Sequence, residues 1–86
     1  MDLEIAAKAQ KKINSYDRPT RESIRAGVDG LMKIPPEGDI IPMQGYSDGR
    51  LRLRIGKYRI IHNYILKNGK KTLYIIAVGS RGDIYK

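Results

Sequence analysis

Between Arg50 and Ile55 the chain alternates without a break: Arg50, Leu51, Arg52, Leu53, Arg54, Ile55. Alternation of period two sends successive side chains to opposite faces of a strand, so this stretch predicts one apolar face and one face carrying three arginines. Two turn signals follow. Gly56-Lys57 separates it from Tyr58–Leu66, and Asn68-Gly69, the strongest short-range hairpin signal, separates that run from Lys71–Val78. Three consecutive antiparallel strands are therefore expected, the middle one apolar on both faces as befits a central position.

The turns fix a register. A two-residue loop at Gly56-Lys57 sets Ile55 opposite Tyr58, hence Arg54 opposite Arg59, Arg52 opposite Ile61 and Arg50 opposite Asn63. Arg59 thereby joins the arginine face. Carried unbroken across Asn68-Gly69, the pairing puts Tyr74, Ile76 and Val78 on that face, and His62, Leu73 and Ile75 on the other with Leu51 and Leu53. Arg81 falls just beyond the last strand.

The first half reads differently. Asp2 to Ile5 suits a short edge strand, after which Ala6, Ala9, Ile13 and Tyr16 fall at the spacing of one helical face. Asp17-Arg18-Pro19-Thr20 interrupts that helix and starts a second, with Asp17 as cap and Pro19 in the first turn. The second helix shows Ile24, Val28 and Leu31 on one side and stops before Pro35-Pro36. Gly27 and Gly30 cost it up to about 1 kcal/mol each relative to alanine, a cost that close packing of another element would offset. Residues 35–49, rich in Gly, Pro and Asp, read as loop. The expectation is one α+β domain over 1–86: an N-terminal helical hairpin packed on a twisted, mainly antiparallel four-stranded sheet with a short first strand, leaving the arginine face open.

That face needs a partner. Arginines two apart on a strand sit roughly 6.5 Å from one another and repel by about 2.5 kcal/mol at a surface dielectric near 20, with no nearby acid expected to offset it. Edge protection against aggregation explains one or two such residues, not four. The net charge is +8, and residues 1–43 are balanced, whereas residues 44–86 contain only Asp48 and Asp83 as acids. Charge kept for solubility would be spread more evenly, so the excess points to a polyanion, for which the planar fork of arginine is well shaped.

Other chemistries find little support. The chain has no Cys, no phosphate loop of the GxxxxGK[ST] kind and no Ser/His/Asp set in a plausible order. The acids lie almost wholly in the half away from the arginines, so neither a metal nor another cofactor is expected. His62, the single histidine, falls on the apolar face between Ile60 and Tyr64 and reads as a core residue rather than a general base. A polar start, the absence of cysteine and the lack of an apolar run of about 18 residues lead to the expectation of a soluble cytoplasmic protein with no membrane partner. Tyr85, after Arg81 in VGSRGDIYK, has a ring suited to stacking on a base or to packing on the domain.

Leu53-Arg54, then Lys57-Tyr58-Arg59-Ile60-Ile61, then Ile76-Ala77-Val78-Gly79-Ser80-Arg81 and Tyr85, all after a helical hairpin, resemble the RelE/ParE toxin superfamily, in particular its RelE-type mRNA interferases. The resemblance spans nearly the whole chain. It implies the toxin of a type II toxin–antitoxin system, a ribosome-dependent endoribonuclease that cleaves mRNA by attack of a ribose 2′-hydroxyl on its neighbouring phosphate without metal. The implied partners are mRNA on the ribosome and a cognate antitoxin. By the same resemblance Arg59, Arg81, Tyr85 and Arg52 are the catalytic candidates, while Arg50, Arg54 and Lys57 would hold the RNA. Two alternatives stay open: a gyrase inhibitor of the ParE branch, which shares the fold, and a non-catalytic basic nucleic-acid-binding module.

Overall fold

A computed structural model describes residues 1–80. The chain runs β1 (Asp2–Ile5), α1 (Ala7–Asn14), α2 (Arg18–Leu31), β2 (Asp39–Pro42), β3 (Leu51–Ile55), β4 (Tyr58–Lys67) and β5 (Lys70–Ser80). The strands form one five-stranded mixed sheet in the order β1-β5-β4-β3-β2, with β1 parallel to β5 and every other pair antiparallel. Both helices lie over one face, α1 against β5 and α2 against β3.

The α+β class, the helical pair and the short first strand agree with the sequence reading, but the sheet has five strands rather than four. The additional strand, β2, lies inside the segment expected to be loop. It pairs Asp39, Ile40, Ile41 and Pro42 with Arg54, Leu53, Arg52 and Leu51. Four residues flanked by Gly38 and ending in Pro42 carry no readable alternation, and proline is tolerated there because β2 is an edge strand.

The two helices form where their signals lie. Asp17 caps α2 by accepting from the Thr20 amide at 3.2 Å, and hydrogen bonding with the Thr20 side chain, then this amide, holds its carboxyl below the usual range. Ile24, Val28 and Leu31 are buried against Leu53, Ile60, Leu73, Ile75 and Val78, with Ala9 of α1 completing the core. Tyr64 of β4 donates its hydroxyl to the Leu31 carbonyl at 2.8 Å, tying the centre of the sheet to the end of α2. The glycines of α2 are used as anticipated: a Cβ on Gly30 would stand 2.9 Å from the Glu37 carbonyl oxygen, and one on Gly27 would meet the tip of Ile55.

The β3–β4 register is the one the turns predict, with Arg54 opposite Arg59 and Arg52 opposite Ile61. The β4–β5 register is not unbroken. Ile61 pairs with Ala77 but His62 pairs with Ile75, so Ile76 is an extra residue and β5 is bulged there. The bulge reverses the phase of the strand end, and Val78, expected among the arginines, packs in the core opposite Ile60. Ala77 and Gly79 take its place on the arginine side, opposite Ile61 and Arg59.

Candidate nucleic-acid interface

Arg52, Arg54 and Arg59 occupy cross-strand positions on the sheet face away from the helices, because the β3–β4 turn keeps them in phase. Arg50 stands one residue before β3, in the loop that leads into it. The face is less open at its middle than alternation suggests. Arg59, Ile61 and Asn63 are 7%, 3% and 8% exposed, whereas Arg54 at the rim is exposed. β4 is the central strand, and the rows from β3 and β5 shield its side chains on both flanks.

Arg59 is fixed rather than free to swing. Its Nη1 donates to the Gly56 carbonyl at 2.9 Å and to that of Tyr58 at 3.0 Å, clamping the guanidinium over the turn. Its buried Nε has no hydrogen-bond partner among the described residues. Leaving a buried donor unmade costs about 1–3 kcal/mol, a cost that an anion oxygen reaching the face would relieve. Gly79 opposite Arg59 contributes no side chain to crowd that approach.

The outer arginines have acids beside them, contrary to the expectation that none offsets their repulsion. Arg54 Nε lies 2.6 Å from Asp39 Oδ2, a pair created by the β2–β3 register. Arg50 engages Asp48 through both Nε and Nη2, the latter 2.7 Å from Oδ2, and these bonds hold the Asp48 carboxyl below its ordinary range. The Arg50 guanidinium also stacks on Tyr46, 4.1 Å from the ring centroid. Arg52 lies half-buried between these two pairs.

Lys57 occupies the β3–β4 turn and places its ammonium 5.4 Å from the centroid of Tyr58. That ring packs on Tyr16 with centroids 5.0 Å apart, on the helix side of the sheet, so Lys57 leans off the arginine row. Arg81 and Tyr85 lie outside the described residues. His62 is fully buried in the helix-facing layer, 3.3 Å from the Ile60 carbonyl through Nδ1 and edge-on to Tyr64. Desolvation lowers its pKa, and it is remote from the arginine face.

Sequence reasoning missed Asp39, Asp48 and Tyr46 as parts of this surface. Asp48, two residues before Arg50, carries a local signal: a short acid in a turn that reaches a neighbouring amide, here the Arg50 N–H at 3.2 Å. Asp39 has none, since its pairing needs a strand that composition conceals. Among the described residues no group of three or more His, Cys, Asp or Glu side chains could hold a metal ion, and no helix is long and apolar enough to cross a membrane.

Two helices over one face of a mixed sheet, with arginines in register on the other, define a small toxin of the RelE/ParE superfamily. Residues 3–85 match the family model of the ParE toxin of type II toxin-antitoxin systems, parDE, and the chain belongs to that family. No curated protein matches it significantly. Among solved structures it is similar to the YoeB/ParE toxin from Agrobacterium tumefaciens, with a TM-score of 0.78 at 16% identity over 94% of this chain and 99% of that one. The archaeal RelE-RelB complex from Pyrococcus horikoshii OT3 is similar with a TM-score of 0.70 at 26% identity, covering 95% and 96%. The intact E. coli RelBE toxin-antitoxin complex gives a TM-score of 0.65 at 21% identity, covering 92% and 94%.

Proposed function

We propose that this toxin is a ribosome-dependent mRNA endoribonuclease, acting in the cytoplasm and restrained by a cognate antitoxin. The observation that supports this most is the clamped guanidinium of Arg59, buried at the centre of a face shared with Arg52 and Arg54. Cleavage forms a bond from the ribose 2′-oxygen to phosphorus and breaks the bond from phosphorus to the 5′-oxygen. The 2′-hydroxyl proton is lost and the leaving oxygen gains one. Charge builds on the non-bridging oxygens, where a preorganised donor lowers the barrier most. Arginines stabilise that charge and do not shuttle protons, since a guanidinium holds its proton far above neutral pH. In this reading Arg59, Arg52 and Arg81 surround the scissile phosphate, Tyr85 orients the nucleotide, and Arg50, Arg54 and Lys57 hold flanking RNA.

The antitoxin part of the reading draws on similarity to the RelB-RelE complexes, in which toxin and antitoxin are bound together. Primer extension on message from a translating extract tests the activity: cuts that appear only on ribosome-engaged mRNA support it. Arg81→Ala should reduce single-turnover cleavage at saturating ribosomes by about 100- to 1000-fold with binding nearly unchanged, and Arg81→Lys should restore only part. Normal cleavage by Arg81→Ala at saturation would remove that residue from the chemistry. The match to the ParE toxin family favours a second reading, inhibition of DNA gyrase. Intact message together with lost supercoiling activity would select it.

A further inference from the structure

The other described tyrosines, Tyr16, Tyr58, Tyr64 and Tyr74, are half-buried, whereas Tyr46 is 50% exposed on the loop between β2 and β3. One face of its ring is covered by the Arg50 guanidinium at 4.1 Å. That guanidinium is held from behind by two-point contact with Asp48. The loop itself is closed by the Met43 amide donating to the Arg50 carbonyl at 3.1 Å and by the Arg50 amide donating to Asp48 at 3.2 Å. Gly45 and Gly49, at φ +85° and +74°, supply the left-handed residues that so tight a path requires.

The geometry points to Tyr46 as a stacking platform for a base of single-stranded RNA, with Arg50 as its fixed backing and Asp48 as the clamp that holds Arg50 in place. This rests on the RNA-binding reading above and changes the part Arg50 plays in it. A phosphate seeking the Nε–Nη2 edge of Arg50 must displace a carboxylate already seated there, so that edge is poorly available to an anion. What the loop leaves uncovered is an aromatic surface at the end of a row of arginines. Every base offers a π-face to such a surface, so the platform would add affinity without selecting sequence.

The test is binding of a short single-stranded oligoribonucleotide carrying 2-aminopurine, followed by its fluorescence over a range of salt concentrations. Wild-type protein and Tyr46→Phe should quench the probe and bind alike. Tyr46→Ala should bind roughly tenfold more weakly, lose the quench and keep the wild-type salt slope, because no phosphate contact is removed. Asp48→Ala should quench less while steepening the slope, as Arg50 is released toward phosphate. Both positions are exposed, so neither substitution threatens the core. Wild-type affinity and quench in Tyr46→Ala would overturn the platform alone, whereas failure of the wild-type protein to bind the probe would overturn it together with the RNA reading. Unchanged RNA binding with weakened antitoxin capture would also overturn it and assign the loop to a protein partner.

Discussion

His62 and Arg59 are adjacent in the logic of the hairpin and opposite in fate. Both are buried and polar, but His62 is held neutral in the helix-facing layer whereas Arg59 presents a spare donor on the other side. The assignment of His62 to the core was legible because register alone decides it. Of the acids beside Arg50 and Arg54, Asp48 carried a local turn signal, whereas Asp39 comes from a strand without alternation and carried none. Burial lowers the His62 pKa, so below about 6.5 the unfolded chain takes up a proton that the folded protein refuses. Stability is then complete above that pH and falls as pH drops through it, by at most about 1.4 kcal/mol per unit. Urea midpoints at pH 7.5 and 5.5 should therefore separate further for the wild-type protein than for His62→Gln. That variant should be less stable at neutral pH and, on the proposed nuclease reading, should cleave normally per folded molecule. An equal pH response in both proteins would show that another group governs acid sensitivity.

Elements meet through their smallest residues. Gly27 and Gly30 were readable as a propensity cost in α2, and the contacts they permit explain the cost: β3 approaches at Gly27 and the chain after α2 crosses at Gly30. The two sites should respond differently to alanine. At Gly30 the obstacle is the Glu37 carbonyl, and the Glu37 amide also bonds to the Gly30 carbonyl at 2.9 Å, so neither backbone can withdraw. Overpacking costs about 1–3 kcal/mol against a helix-propensity gain of up to about 1, leaving Gly30→Ala less stable by about 1–2 kcal/mol. At Gly27 the nearest obstacle is Ile55 Cδ1, with Ile55 Cγ1 and Leu53 Cδ2 each at 3.2 Å. All three are side-chain atoms that can yield, so a rotamer shift of order 1 kcal/mol and a small adjustment of Leu53 offset the same gain and leave a smaller loss than at Gly30. Chemical denaturation of the two variants checks the order, and a larger loss at Gly27 would contradict it. The bulge at Ile76 belongs to this scale too. Pattern reading assumes unbroken alternation, and one extra residue was enough to send Val78 into the core and leave Ala77 and Gly79 beside Ile61 and Arg59.

At the scale of the whole molecule, the asymmetry of charge along the chain becomes an asymmetry across the sheet, but it is tempered. The sequence divides into a balanced half and a basic half, and Asp39, from the balanced half, is carried by β2 to the rim of the arginine row. An exposed pair of this kind contributes about 0–1 kcal/mol to stability, so its removal should leave folding nearly intact. On the proposed RNA-binding reading, its larger effect is on what Arg54 offers to the nucleic acid: while Asp39 occupies the guanidinium, a phosphate gains less by arriving. Asp39→Asn keeps the size of the side chain and releases the charge. It should tighten binding of single-stranded RNA at low salt and steepen the dependence of log affinity on log salt concentration by about 0.7, the increment for one added phosphate contact on a single strand. Arg54→Ala should move the slope the other way, and the double variant should behave as Arg54→Ala does, because the acid then has no cation to mask. If Asp39→Asn steepens the slope equally in the absence of Arg54, the effect is one of net charge over the whole surface, and the pair at 2.6 Å does not gate the row.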